Sequence, residues 1–184
     1  MNSIKVAVLI GSLRRDSYNK RLARAVEKLV HEDFKFEHIR IDDLPLYSQD
    51  FDGAYPPAAK RLKQEIEACQ ALLFVTPEYN RSIPGVLKNA IDIASRPWGT
   101  NSFAGKPGAV LGTSPGAIGT AMAQQHLRNT LAYLDVPTLA QPEIFIQFTD
   151  ELISPDGKIN NERTEKLLRG FIQRYDAWVR RFVK

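Results

Sequence analysis

A single cysteine, Cys69, stands among the 184 residues, so no disulfide can form within the chain. No apolar run approaches the roughly 18 residues that cross a bilayer. The first residues, MNSIKVAVLIGS, carry one lysine and lack the long apolar region and cleavage site of a signal peptide. The histidines, His31, His38 and His126, are dispersed and show no metal-ligand spacing. Neither GxxxxGK[ST] nor GxGxxG occurs, which excludes a Walker loop and a dinucleotide fingerprint. The net charge of +4 is modest and most basic residues are diluted by acids, so a nucleic-acid-binding face is not expected. Together these absences point to a cytoplasmic protein with neither a membrane-inserted segment nor a nucleic-acid partner. Cys69 follows an apolar helical face and reads as a small buried hydrophobe.

What the sequence does have is alternation. IKVAVLI (4–10) is a β-branched run suited to a strand buried on both faces. Residues 17–31 carry Leu22, Val26, Leu29 and Val30 on one helical face. FKFEHIRI (34–41) alternates like an edge strand. Residues 56–69 open with prolines, which suit a first helical turn. ALLFVT (71–76) and PGAVLGT (107–113) are further buried strands. Helical patterns cover 84–96, with Val86, Leu87, Ala90, Ile91 and Ala94 as a stripe, and 119–134. PEIFIQF (142–148) is strand-like. Residues 160–183 form a long amphipathic pattern with Leu167, Leu168, Phe171, Ile172, Tyr175, Trp178, Val179 and Phe182 inward.

Five strand–helix repeats in 184 residues predict one α/β domain spanning 1–184, a parallel sheet with helices on both faces. Right-handed crossovers restrict the topology, and 2-1-3-4-5 is the common five-stranded order. Ligands of such sheets bind beyond the carboxyl ends of strands 1 and 3, where all strand-to-helix loops gather.

Three of those loops are unusual. GSLRRDSYN (11–19) offers the hydroxyls of Ser12 and Ser17, the amide of Asn19 and the planar donor fork of Arg14. Ser17 stands where a helix N-cap belongs. Helix N-termini with free N–H groups bind phosphate, so this loop is predicted to hold one. Lys20, Arg21 and Arg24 follow closely, but they read as solvent-facing. Without a pyrophosphate fingerprint the ligand is a single terminal phosphate, which suits a mononucleotide such as FMN. TSPGAIGT (113–120) sits among Gly112, Gly116 and Gly119, which let backbone approach a flat ligand. VTPEYNRSIPGVLKNAID (75–92) sets a carboxylate, a phenol and an amide at the mouth of a buried strand. Prolines at 77 and 84 stiffen it into a platform rather than an acid–base cluster.

At these residues the chain resembles the NADPH-dependent FMN reductases, and within them the bacterial chromate and quinone reductase branch. GSLRRDSYN resembles that family's GSxRxxSxN loop, PEYNRSIPGVLKNAID is similar to its PEYNxSxPGxLKNAID motif, and TSPGAIG to its third flavin loop. The resemblance spans roughly 4 to 150. It implies a flavodoxin-like three-layer sandwich with bound FMN and NADPH or NADH as co-substrate. Ser12, Arg14, Ser17, Tyr18 and Asn19 would hold the FMN phosphate. Pro77, Glu78, Tyr79, Asn80 and Ser82 would line the flavin ring, mainly through backbone groups. Ser114, Pro115, Gly116 and Ile118 would flank its other side. Hydride would pass from NAD(P)H to flavin N5, then on to quinones or other acceptors such as chromate, azo compounds or free flavin, by a ping-pong mechanism. No side chain need act as acid, base or nucleophile. The family also implies a homodimer or homotetramer.

Two positions depart from the pattern. Ile93 stands where many relatives have tryptophan, and Thr120 follows Gly119 where many have a second glycine pair. Two rival functions share the fold: an FMN-binding electron carrier or sensor without NAD(P)H activity, and a nucleotide-processing enzyme such as a nucleoside transferase.

Overall fold

The computed structural model describes residues 3–183. Five strands, β1 (Ile4–Ile10), β2 (Phe34–His38), β3 (Ala71–Val75), β4 (Gly108–Ser114) and β5 (Phe145–Gln147), form one parallel sheet in the order β2-β1-β3-β4-β5. The helices are α1 (Tyr18–Glu27), α2 (Pro57–Glu67), α3 (Gly85–Ala94), α4 (Ala121–Tyr133) and α5 (Glu162–Val179), with a short 3-10 turn at Gln49–Phe51. The expected order and the α/β class are those observed.

Sequence patterning explains the layers. β3 is apolar at every position and buried at every position, as a central strand must be. Val6, Val8, Leu73 and Val75 face one core with Leu22, Val26, Phe171 and Tyr175 of α1 and α5. Ala7, Leu9, Leu72 and Phe74 face the other with Leu62, Leu87, Ile91 and Leu127 of α2, α3 and α4. The fully buried Tyr175 phenol donates to the Leu72 carbonyl at 2.8 Å, and burial pushes its pKa up. Cys69 is buried and its thiol donates to the Glu65 carbonyl; burial raises its pKa too.

The ends of the elements differ from expectation for physical reasons. β5 pairs only over Phe145–Gln147; Pro142, which has no N–H for a ladder, lies outside it. α1 ends at Glu27; Leu29 and Val30 pack on the core from the following turn. In α5 the buried stripe is Leu168, Phe171, Ile172, Tyr175 and Val179, a helical repeat that leaves Leu167 one position off and 40% exposed. Phe182 lies beyond the helix, edge-on to Trp178, and is 42% exposed. Among the described residues no helix is long and apolar enough to cross a membrane.

Candidate functional site

The loops after β1, β3 and β4 meet at the carboxyl edge of the sheet because all five strands run parallel. Each loop is built differently.

After β1 the chain turns at the buried Gly11, where a Cβ would crowd Leu87 and Thr76. Ser12 and Ser17 are both buried, with hydroxyls at the root of the loop. Ser17 is the N-cap of α1, its Oγ accepting from Lys20 N–H at 3.4 Å. No acidic residue lies in the first turn. The N–H groups of Tyr18 and Asn19 find no acceptor among the described residues. Unsatisfied donors at the positive end of a helix dipole, beside two buried hydroxyls, fit a phosphate. Arg14 is exposed above them, its guanidinium 4.9 Å from the Tyr18 ring centre, and Tyr18 stacks on Phe148 at 4.0 Å. The other basics turn elsewhere: Arg21 donates to the Ile153 carbonyl and Arg24 to that of Pro155.

Asn19 sits in this loop in an unexpected role. Its side chain is buried and clamps β4, Nδ2 donating to Thr113 O at 2.9 Å and Oδ1 accepting from Thr113 N–H at 3.1 Å. Both amide atoms are engaged by Thr113, and its main-chain N–H has no acceptor among the described residues. Asn89 of the KNAID segment repeats the device. It accepts from Tyr47 N–H and donates to Pro45 O, both at 2.9 Å, and thereby fixes the loop after β2 with Leu46 82% exposed. Tyr47 and Tyr55 brace the same loop by donating to Asp52 and to the Ile93 carbonyl. Burial, reinforced by the nearby Tyr47 and Asp52, pushes the Tyr55 phenol to about 12.

After β3, Pro77 is buried and Tyr79–Ser82 closes a two-residue hairpin, with N–H to O bonds of 3.0 Å in both directions. Asn80 and Arg81 both have positive φ, 51° and 64°. Tyr79, Asn80 and Arg81 are exposed and Ser82 is half-buried. The Glu78 carboxylate is engaged within the fold. Its Oε2 accepts from the N–H groups of Met122 and Ala123 at 3.0 and 3.1 Å, capping α4 from across the sheet. Ser82 Oγ lies 3.0 Å from His126 Nδ1. Nothing local in the sequence announces these links, which join residues more than forty apart.

After β4, a Cβ on Gly112 would collide with the Thr76 carbonyl and the Thr120 hydroxyl. Gly119 and Thr120 both adopt left-handed backbone, φ 58° and 75°. That explains glycine at such positions; the buried Thr120 tolerates it while its Oγ1 accepts from Gln124 at 3.0 Å. Ser114 is half-buried, and Pro115, Gly116 and Ile118 are exposed at the rim. Gly112-Thr113-Ser114-Pro115-Gly116 also satisfies the GxSxG spacing of a hydrolase elbow. Ser114 Oγ, however, donates to the Gly116 carbonyl at 3.3 Å, and His126 is engaged by Ser82. Among the described residues no base is aligned on that serine.

A five-stranded parallel sheet in this order defines the flavodoxin-like class. The chain belongs to the NADPH-dependent FMN reductase family, whose model matches residues 4–151. It is 54% identical over 178 residues to a 2-hydroxy-1,4-benzoquinone reductase of Burkholderia sp, covering 97% of each chain. It is 45% identical to a quinone reductase of Pseudomonas putida, over 95% of this chain and 94% of that one. Among solved structures it is similar to FerB, a flavoenzyme NAD(P)H:(acceptor) oxidoreductase from Paracoccus denitrificans. The TM-score there is 0.93 at 45% identity, covering 97% of this chain and 98% of that one. The protein is therefore an oxidoreductase of the FMN- and NAD(P)H-dependent kind.

Proposed function

We propose that this protein is a quinone reductase that binds FMN at the carboxyl edge of β1, β3 and β4 and uses it with NADPH or NADH. The observation that carries the reading is the open N-terminus of α1, with free N–H groups beside the buried Ser12 and Ser17. Bound FMN supplies the redox chemistry, accepting hydride from NAD(P)H and reducing the acceptor.

The chain's own task is to hold and shape. The Tyr18 and Asn19 N–H groups, Ser12, Ser17 and Arg14 bind the phosphate. Pro77, Glu78, Tyr79, Asn80 and Ser82 present the hairpin as one wall of a flat slot, mainly by backbone. Ser114, Pro115, Gly116 and Ile118 form the opposite rim. No side chain here transfers a proton between substrates. A single open slot lets NAD(P)H leave before the acceptor enters, which gives ping-pong kinetics. Quinones are the favoured acceptors, supported by what the similar reductases are named for; chromate, azo compounds and free flavin also fit an open slot.

We also infer a homodimer or homotetramer acting in the cytoplasm. Trp98 and Tyr133, 78% and 70% exposed beside α3 and α4, would be covered in it. Light scattering of the purified protein reads the assembly.

The test of function is optical. The purified protein, or protein given FMN, should show bound-flavin absorbance, bleach with NADPH or NADH under anaerobic conditions, and recover colour on adding 1,4-benzoquinone. Failure to take up FMN overturns the reading. Uptake without bleaching reduces it to an electron carrier.

A further inference from the structure

The hairpin that carries Tyr79 and Asn80 is poorly equipped to hold its own shape. It is closed by two main-chain bonds, and a hairpin this small is marginal in water. With both central residues left-handed, the turn favours Asn-Gly. Asparagine tolerates that backbone, but the Cβ of Arg81, at φ 64°, is crowded in it. Arg81 therefore works against the turn it occupies.

Both legs of the hairpin are tied to α4. On the first leg Glu78 accepts from Met122 and Ala123 N–H. On the second, Ser82 Oγ pairs with His126 Nδ1 at 3.0 Å. His126 follows Ala123 by three residues and Met122 by four, the spacing that aligns groups along one helix face. The negative Glu78 carboxylate sits on the positive end of the α4 dipole, so its contacts are charge-assisted.

We propose that Glu78 and His126 are positioning residues: they clamp the strained Tyr79–Ser82 hairpin to α4 and so fix the wall against which the flavin ring and the acceptor stack. This rests on the flavin reading above. The phosphate anchor at α1 is a separate structure. Releasing the clamp should spoil turnover with the acceptor while leaving FMN bound.

Two measurements test it. The first uses apo-protein and needs no flavin. Trypsin cuts after arginine, and the Arg81–Ser82 bond lies inside the clamp. At a temperature well below each variant's melting point, Glu78→Ala and His126→Ala should be cut there on the order of tenfold faster than the parent, because cleavage tracks the open population. Cutting at other sites should be unchanged. Glu78→Gln keeps an acceptor oxygen and should fall between, and it stands in if Glu78→Ala does not fold.

The second uses FMN-loaded protein. Glu78→Ala should lower kcat/KM for 1,4-benzoquinone by about tenfold while weakening FMN less than Arg14→Ala does, because the phosphate anchor at α1 is untouched. Adding Arg81→Gly, which relaxes the turn, should restore most of that turnover. If Glu78 only capped α4, Arg81→Gly would restore nothing. Parental cleavage rates at Arg81 in both single variants, or no rescue by Arg81→Gly, overturn the proposal. A parent that binds no FMN defeats the flavin reading, and the trypsin comparison still decides the clamp.

Discussion

Two helices, α1 and α4, start at the same edge of the sheet, and neither has an acidic residue in its first turn. Both point the positive end of a dipole toward the crevice. Yet their ends are treated oppositely. The N-cap of α1, Ser17, covers one N–H and leaves those of Tyr18 and Asn19 free. The N-cap of α4, Thr120, makes no side-chain cap bond, and Glu78 closes the end from another loop with both Met122 and Ala123. A helix terminus is thus an anion site only where the chain does not satisfy it itself. Of these two termini at the same edge, the fold uses that of α4 for its own architecture.

The sharpest way to break this contrast is at the sheet beneath α4. Gly112→Ala places a methyl group into Thr76 O and Thr120 Oγ1. It should cost about 3 kcal/mol or more in urea unfolding followed by circular dichroism, by overpacking. Tolerance of alanine would mean that α4 is not seated as described.

Next is the clamp that seats α1. Asn19→Ala leaves both main-chain groups of Thr113 without their partner in a buried setting. At about 1–3 kcal/mol for each stranded group, a loss of roughly 2–6 kcal/mol is expected. An unchanged urea midpoint would show that α1 does not depend on β4.

Glu78→Gln keeps an acceptor and removes the charge that closes α4. It should lower stability by about 1 kcal/mol, the scale of a helix cap, and the loss should shrink in high salt. Arg14→Ala should have the smallest effect on folding, within about 0.5 kcal/mol, since Arg14 is exposed. If Arg14→Ala destabilised more than Glu78→Gln, the assignment of one open and one closed terminus would be reversed.

The sequence made the layers legible because burial on both faces writes continuous apolar strands, and amphipathic helices write a 3.6-residue stripe. The loops were legible because glycine, proline and small hydroxyls are confined to them. Tertiary use of a side chain was not. Asn19 reads as a phosphate ligand from its place in GSLRRDSYN, yet its amide is spent on Thr113, 94 residues on. Glu78 reads as a flavin neighbour through its backbone, and nothing in the motif shows that its carboxylate also caps α4. His126 looked isolated until the fold set it against Ser82. Each of these depends on a contact between elements far apart in sequence, which no local pattern encodes. The short β5 shows the same limit: β-propensity over 142–148 does not reveal that pairing with β4 spans only Phe145–Gln147.

The claim that most needs measurement is that the α1 terminus holds a phosphate. Binding of FMN and of riboflavin, which differ by that phosphate alone, should be titrated into the parent apo-protein and into Arg14→Ala. The parent should prefer FMN strongly. Arg14→Ala should weaken FMN by about 1.5–3 kcal/mol, roughly 10- to 150-fold, and leave riboflavin unchanged, so that the gap between them narrows. Equal affinity of the parent for both ligands, or a gap that Arg14→Ala leaves intact, would contradict the account.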